Sequence, residues 1–217
     1  MKSSLLEKPA VRRDVIPPLE NGDHLSAGEF LRRFEAMPEV KKAELIQNIV
    51  HMASPVRTDL HGKPDGLIQM WLGTYAANHP GVDHATNVTV RLGPDDVPQP
   101  DAVLFLDSES GGRSVIDEKG YLCGSPELVV EIASSSISRD AREKLVSYRR
   151  SGIAEYLLWR VQDEVIEWFA LEADEYRPLP ENDGVIHSRV FPGLALNVKA
   201  ALAGDRAAVL ATLSAAI

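Results

Sequence analysis

The chain lacks the features that mark several common classes of protein. Its 217 residues include a single cysteine, Cys123, which rules out a disulfide within the chain and fits a reducing, cytoplasmic location. No uninterrupted apolar run approaches the roughly 18 residues that would span a bilayer. The charged N-terminal residues also lack the apolar core of a signal peptide. We therefore expect no association with a membrane.

Basic residues are in the minority. The chain has 23 Lys and Arg against 32 Asp and Glu, a formal net charge of −9. Because neutralisation of phosphates dominates non-specific affinity for nucleic acid, this balance excludes a surface designed for tight, non-specific binding. Any contact with DNA must come from a local basic patch. One candidate is a predicted helix with Arg139, Arg142, Lys144, Arg149 and Arg150, although a solvated helix face with internal ion pairs explains them equally well.

Familiar catalytic and cofactor motifs are also missing. The sequence has no Walker loop, no GxGxxG after a strand, no paired CxxC and no GxSxG, which removes the main signatures of several enzyme classes. The histidines lack metal-ligand spacing such as HExxH, so we predict no zinc site and interpret them as structural or surface residues. They are His24, His51, His61, His79, His84 and His187.

The hydrophobic pattern predicts an α/β protein with one main domain. Residues 1–23 are rich in proline and read as an N-terminal arm. Helices are predicted from Ser26 to before Pro38 and over residues 65–78, 139–151 and 199–217, and the last could pack or dimerise through an apolar stripe. Strands are predicted over residues 86–92, 101–106, 128–133, 155–160 and 165–171, the last two as a hairpin. Residues 43–52 fit either a helical turn leading into a strand or a strand alone, and residues 107–125 read as a surface excursion.

Glu131 stands in the middle of a strand that otherwise reads as fully buried. Removing a carboxylate from water costs several kcal/mol or more unless a cation, a metal or strong donors compensate. A metal site is the simplest explanation, and a structural ion pair with a lysine or arginine is the alternative.

Two further residues can join Glu131 to form a metal-dependent hydrolytic site. Asp101 begins the preceding predicted strand, and Lys144 lies on the helix that follows. Magnesium prefers carboxylate oxygens and needs few protein ligands when a phosphate completes its shell. A nearby lysine can orient the attacking water or stabilise developing charge. The alternatives are ordinary: Asp101 as a turn residue and Lys144 as a solvated side chain.

Several short motifs, in order, resemble the Uma-two family of the PD-(D/E)XK nuclease superfamily. They are Pro100-Asp101, residues 126–132, Asp140 through Lys144 with Tyr148, residues 152–156 and residues 191–194. Glu44-Leu45-Ile46, residues 52–55 and His61 are similar to the family's N-terminal pattern. The resemblance spans residues 28–201. It implies a restriction-endonuclease-like core, in which a central mixed β-sheet is flanked by α-helices, with residues 24–201 as the nuclease-like domain and 202–217 as a C-terminal helix.

The resemblance also implies roles for single residues. Asp101 and Glu131 would be ligands of Mg²⁺, with Mn²⁺ as a possible substitute, and Glu44 a third acidic contributor. The superfamily's lysine lies two residues after the second acid, where this chain has Ala133. The resemblance implies that Lys144 projects its amine into the same space instead. Arg160 is a second departure, at the end of a strand that family members often finish with an aspartate.

Two functions remain open at this point. The leading hypothesis is a metal-dependent DNA endonuclease in which Asp101 and Glu131 hold the ion, Lys144 assists the attacking water and Glu44 completes the site. The second is a catalytically silent fold that binds nucleic acid or a protein partner, which the acidic net charge and the missing lysine at position 133 favour. Either function is compatible with a homodimer, since cutting a duplex needs two sites.

Overall fold

The structure is a computed structural model that describes residues 16–52, 57–133 and 139–216, without the side chains of residues 139–142 and 216. Its helices are α1 (Ala27–Glu35), α2 (Lys63–Ala77), α3 (Arg139–Arg150), α4 (Val198–Leu202) and α5 (Arg206–Ala216), and a π-helical turn over Thr58–Gly62 leads into α2. The strands are β1 (Ala43–Ile46), β2 (Ile49–Met52), β3 (Val82–Thr86), β4 (Val90–Arg91), β5 (Ala102–Leu106), β6 (Ser114–Ile116), β7 (Leu122–Gly124), β8 (Leu128–Ala133), β9 (Glu155–Arg160), β10 (Val165–Glu172), β11 (Glu175–Pro178), β12 (Glu181–Asn182), β13 (Val185–His187) and β14 (Ala195–Asn197).

A six-stranded mixed sheet in the order β11-β10-β9-β8-β5-β3 lies at the centre of the fold. Its strands β8 and β9 are parallel and joined through α3, while the other neighbours are antiparallel. Side chains alternate between the two faces of a strand. Leu128, Val130 and Ile132 accordingly pack into the core that contains α2 and α5, and Val129 packs on the other face with Tyr148 of α3. Glu131 therefore lies on the α3 face.

An N-terminal hairpin brings a second set of polar residues to the same region. Strands β1 and β2 pair antiparallel, and the turn residues Gln47 and Asn48 both have positive φ, as in the two-residue turns that suit hairpins. Leu45 exchanges two backbone hydrogen bonds with Val97, at 3.0 and 2.7 Å. Because residues 97–99 lead directly into β5, this pairing fixes the hairpin beside Asp101.

The predicted elements with the strongest periodicity are confirmed. The predicted helices over residues 65–78 and 139–151 correspond to α2 and α3, and the strand over residues 128–133 has the bounds of β8. Strands β9 and β10 form the predicted hairpin. Ser26 caps α1 by accepting a hydrogen bond from the backbone nitrogen of Glu29, as expected. No helix in the described part of the chain is long and apolar enough to cross a membrane.

Three local predictions were wrong. Residues 43–52 form a hairpin, because positive φ at the turn lets the chain reverse within two residues. The strand predicted over residues 86–92 is interrupted, because Asn87 has a φ of 50°. Thr86 is the last residue of β3, and Val90 and Arg91 form β4 in a different sheet. Residues 107–125 contain the antiparallel pair β6 and β7.

The C-terminal helix predicted over residues 199–217 is two helices, α4 and α5. Gly204, with φ of 70°, lies between them. Val209 and Leu213 of α5 are fully buried in the core that also contains α2 and β14. These two residues of the apolar stripe thus pack within the chain, whereas Leu202 is 36% exposed. The domain boundaries at residues 24 and 201 stay a prediction.

Glu155, at the start of β9, connects the central sheet to the loop at residues 188–190. Its Oε1 accepts hydrogen bonds from the backbone nitrogens of Arg189 and Val190, and its Oε2 accepts from Ser188 Oγ and Trp168 Nε1. The residue is fully buried, and burial raises the pKa of its carboxyl group. All four partners are donors, so the carboxylate acts as a structural acceptor.

We predict that Glu155→Gln destabilises the protein by about 1–3 kcal/mol, because the new amide group would face donors where an acceptor is needed. Urea unfolding of the variant measures this loss. The control is Glu167→Gln on the neighbouring strand β10, where the carboxylate is 40% exposed and paired with Arg160, and where we expect a change within about 0.5 kcal/mol. Equal stabilities of the two variants would contradict the prediction.

Candidate active site

Asp101 lies immediately before β5 and has two differently placed carboxylate oxygens. Its Oδ2 accepts a hydrogen bond from the backbone nitrogen of Ile132 on β8 at 2.8 Å. Its Oδ1 contacts Lys42 Nζ at 3.1 Å and lies 3.5 Å from His61 Nε2. The backbone carbonyl of Asp101 accepts from Gln69 Nε2 at 2.9 Å. The aspartate is therefore held by its neighbours so that one oxygen remains available to cations.

Glu131 lies on β8, the strand next to β5, and is surrounded by side chains of α3. Lys144 Nζ donates to both of its oxygens at 3.1 Å, and Tyr148 Oη donates to Oε1 at 2.5 Å. Lys144 also contacts Glu44 Oε1 from β1 at 2.8 Å. That same Glu44 oxygen accepts from the backbone nitrogen of Gln99 at 2.6 Å. Lys144 thus joins two carboxylates from separate elements in one buried cluster.

The structure brings all four predicted site residues into this region. Asp101, Glu131, Glu44 and Lys144 are each at most 7% exposed. Their positions agree with the expectation that a lysine on the helix after β8 reaches the space beside Glu131. Their catalytic and metal-binding roles stay a prediction.

Two residues that the sequence interpretation did not include in the site contact Asp101. Lys42, just before β1, bonds Asp101, and its Nζ lies 3.2 Å from Asn87 Oδ1. His61, interpreted as structural or surface, contacts the backbone oxygen of Ile132 through Nδ1 at 3.2 Å and turns Nε2 toward Asp101. The sequence did contain an indication for Lys42. If residues 42–44 are extended, Lys42 lies on the same face as Glu44, two positions later.

The charges of the cluster do not balance. We name Glu44, Asp101, Glu131, Lys42 and Lys144 the carboxylate cluster, which sets three acids against two ammonium groups. Burial raises the pKa of Glu131 to about 8, even though Lys144 opposes the rise. Burial lowers the pKa of Lys42, but the three carboxylates outweigh this effect and raise it above its ordinary value. Among the described residues, three carboxylates thus lie beside two ammonium groups, and a further cation near Glu131 would favour its charged form.

Other buried glutamates of the same sheet lack this character. Glu127 accepts hydrogen bonds from the backbone nitrogens of Leu106 and Arg113 and pairs with Arg113 Nε at 3.5 Å, and Glu155 accepts from backbone and neutral side-chain donors. In the described part of the chain, neither carboxylate shares a cation with a second acid. Glu131 instead contacts a lysine and a tyrosine, whose pKa is raised by burial so that it keeps its proton. Burial alone therefore does not distinguish the site, whereas a lysine shared between two buried carboxylates does.

The donor set suits a hard divalent cation, although the carboxylates do not converge on one point. Among residues 16–52, 57–133 and 139–216, no group of three or more His, Cys, Asp or Glu side chains is arranged to hold a metal ion. The oxygens of Asp101 and Glu131 face Lys42 and Lys144 instead. Carboxylate oxygen is the preferred ligand of Mg²⁺, and the described acids outnumber the ammonium groups beside them, so the types of side chain present suit this ion.

The basic patch predicted on α3 is smaller than expected. Lys144 is buried within the carboxylate cluster and contributes no surface charge. Arg149 and Arg150 are exposed, and Arg150 pairs with the buried Asp96. The side chains of Arg139 and Arg142 lie outside the described residues. The patch is thus described at Arg149 and Arg150 only.

Comparisons with known proteins agree with the fold. The chain matches the Uma2 family, described as "Putative restriction endonuclease", over residues 28–199. Its structure is similar to that of "a putative nuclease belonging to DUF820" from Anabaena variabilis, with a TM-score of 0.63 and 15% identity over 80% of this chain and 97% of the other. That similarity confirms the predicted α/β class and nuclease-like core. No curated protein matches the chain. Because the family match covers well over half of its residues, the chain belongs to the Uma2, or Uma-two, family.

Proposed function

We propose that the protein is a divalent-metal-dependent endonuclease that hydrolyses phosphodiester bonds of DNA. The observation that carries the proposal is the carboxylate cluster, in which acids from β1, from β8 and from the residue before β5 meet and outnumber the ammonium groups among the described residues. Membership of a family described as "Putative restriction endonuclease" supports the same reaction class. Cleavage of both strands of a duplex by single-site chains requires two copies, so a homodimer remains part of the proposal.

Asp101 and Glu131 would hold the ion, which we propose to be Mg²⁺ with Mn²⁺ as a substitute. When bound, such an ion polarises a phosphoryl oxygen and lowers the pKa of a coordinated water. The backbone nitrogen of Ile132 fixes Oδ2 of Asp101, which leaves Oδ1 as the oxygen that can take a cation. Asp101 therefore supplies an oriented ligand at the entrance of β5.

Lys144 and Glu44 lie on the buried side of the site, where we propose that they hold Glu131 in position. Lys144 contacts both oxygens of Glu131 and one of Glu44, so its first role is to hold these carboxylates close together against their mutual repulsion. Assistance to the attacking water is the second role that we propose for Lys144, and it requires the amine to leave one of these oxygens. Glu44 completes the site by holding the lysine near Glu131.

A catalytically silent module is the second candidate, and a specific observation favours it. Each proposed metal ligand is already paired with a lysine in the described structure, as a purely structural ion pair would be. In that case the protein would bind nucleic acid or another protein without cleaving anything. Glu131→Gln discriminates between the candidates, because it removes a charge that only the endonuclease needs for its reaction.

We predict that Mg²⁺ and Mn²⁺ bind to the parent and that Asp101→Asn and Glu131→Gln each abolish this binding, because each substitution replaces an anionic ligand with a neutral amide. Isothermal titration calorimetry measures the effect. Asp183→Asn and Glu167→Gln are matched controls at exposed positions and should bind like the parent. Metal binding that survives in both site variants would place the ion elsewhere.

We predict that the parent nicks or linearises supercoiled plasmid DNA with Mg²⁺ or Mn²⁺, and that the two site variants lose about 100-fold or more of the rate, the scale of one lost electrostatic contact to a transition state. Gel assays with the same controls measure this. If the parent and Glu131→Gln are equally inactive while both retain binding to a nucleic acid or protein partner, the silent module is correct.

We predict that Lys144→Met destabilises the protein by about 3–5 kcal/mol, because it leaves Glu44 and Glu131 buried without their shared cation. Urea unfolding measures the loss, with Lys199→Met at an exposed position of α4 as the control. Adding Glu131→Gln to Lys144→Met should recover part of the stability, since one of the repelling charges is gone. A Lys144→Met variant as stable as the control would contradict the role of Lys144 in holding the acids.

A further inference from the structure

The two lysines of the carboxylate cluster differ in how they are enclosed. The Lys144 side chain is 4% exposed and its Nζ lies among oxygens of Glu44 and Glu131. The Lys42 side chain is 30% exposed, and its Nζ contacts Asp101 Oδ1 and Asn87 Oδ1. Lys144 is therefore part of the interior, whereas Lys42 lies where the cluster meets solvent.

Lys42 occupies the oxygen that a metal ion would need. Oδ2 of Asp101 is fixed by the backbone nitrogen of Ile132, which leaves Oδ1 as the available oxygen, and Lys42 Nζ contacts it at 3.1 Å. An ammonium group and a divalent cation cannot both remain at close range to one carboxylate oxygen without strong repulsion. Binding of a cation at Asp101 thus requires Lys42 to move its amine.

A long, flexible side chain allows that movement without a change in the backbone. Lysine carries its charge on a four-carbon stem with several rotatable bonds and acts as a mobile point charge. The second contact of Nζ, to the exposed Asn87, is a neutral hydrogen bond at 3.2 Å and holds the amine only weakly. Once displaced from Asp101, the ammonium group remains at the solvent side of the site, where a phosphodiester would enter.

We propose that Lys42 is a substrate-binding residue that neutralises Asp101 in the metal-free protein and turns to a non-bridging oxygen of the DNA phosphodiester when a divalent cation binds. The inference rests on the proposed function. It adds that the Lys42 ammonium group serves two anions in turn, Asp101 in the metal-free protein and the DNA phosphate when the ion is bound. The amine makes no covalent bond and transfers no proton. It exchanges one anionic partner, the Asp101 carboxylate, for another, the phosphate.

Mn²⁺ affinity tests this inference directly, because removal of a competing cation should tighten metal binding. We expect Lys42→Met to bind Mn²⁺ about tenfold more tightly than the parent, and Lys42→Arg to bind it like the parent, since only the first substitution removes the charge beside Asp101. Lys41→Met is the matched control, because Lys41 Nζ contacts only the Pro38 carbonyl among its described partners. Isothermal titration calorimetry measures all four proteins.

Cleavage kinetics should show the opposite effect of the same substitution, namely weaker binding of DNA. Lys42→Met should raise KM for plasmid DNA about tenfold through the lost phosphate contact, while Lys42→Arg keeps most of the parent's KM. If Lys42 had only a structural role, its replacement by Met would not both tighten metal binding and weaken DNA binding. Unchanged or weaker Mn²⁺ affinity in Lys42→Met overturns the inference, and the proposed function survives if Glu131→Gln still abolishes binding. No Mn²⁺ binding to the parent and to Lys42→Met alike overturns both.

Discussion

The structure depends on one electrostatic constraint, the burial of three carboxylates beside two ammonium groups. Glu44, Asp101 and Glu131 come from a hairpin and two neighbouring strands, and Lys144 from the helix that joins β8 to β9. These elements can pack together only if the acids are compensated, because a buried charge without a partner is strongly unfavourable. The lysines supply most of that compensation. The raised pKa of Glu131 indicates that they do not supply all of it.

Incomplete compensation is what distinguishes this cluster from the other buried acids. Glu127 and Glu155 are also buried in or beside the central sheet, but backbone nitrogens contact both oxygens of Glu127, which also pairs with Arg113, and backbone and neutral side-chain donors satisfy Glu155. Those contacts fix the loops that follow and leave no reason for a further cation. In the carboxylate cluster the partners are long side chains, one of which faces solvent. Such an arrangement can exchange a lysine for a metal ion, which a carboxylate fixed by the backbone cannot do without losing its hydrogen bonds.

Much of the fold and part of the site could be predicted from the sequence. Glu131 was identifiable because it interrupts a strand of buried apolar residues, and Asp101 because it precedes another. Lys144 was a candidate because its helix follows β8, although a lysine on such a helix usually faces water. The resemblance to a family implied that its amine reaches the space beside Glu131. Lys42 and His61 were missed because residues 43–52 were not recognised as a hairpin and because His61 reaches Asp101 through tertiary packing. Strands of three residues, such as β6 and β7, were missed because so few residues show no periodicity.

The most direct test of the account is a crystal structure of the protein soaked with Mn²⁺, with the ion located by its anomalous scattering. The account predicts an anomalous peak in contact with Asp101 Oδ1 and a carboxylate oxygen of Glu131, with the Lys42 amine moved away from Asp101. A peak at another position, or none in crystals where Asp101 and Glu131 remain paired with their lysines, would contradict the claim that these carboxylates form a metal site.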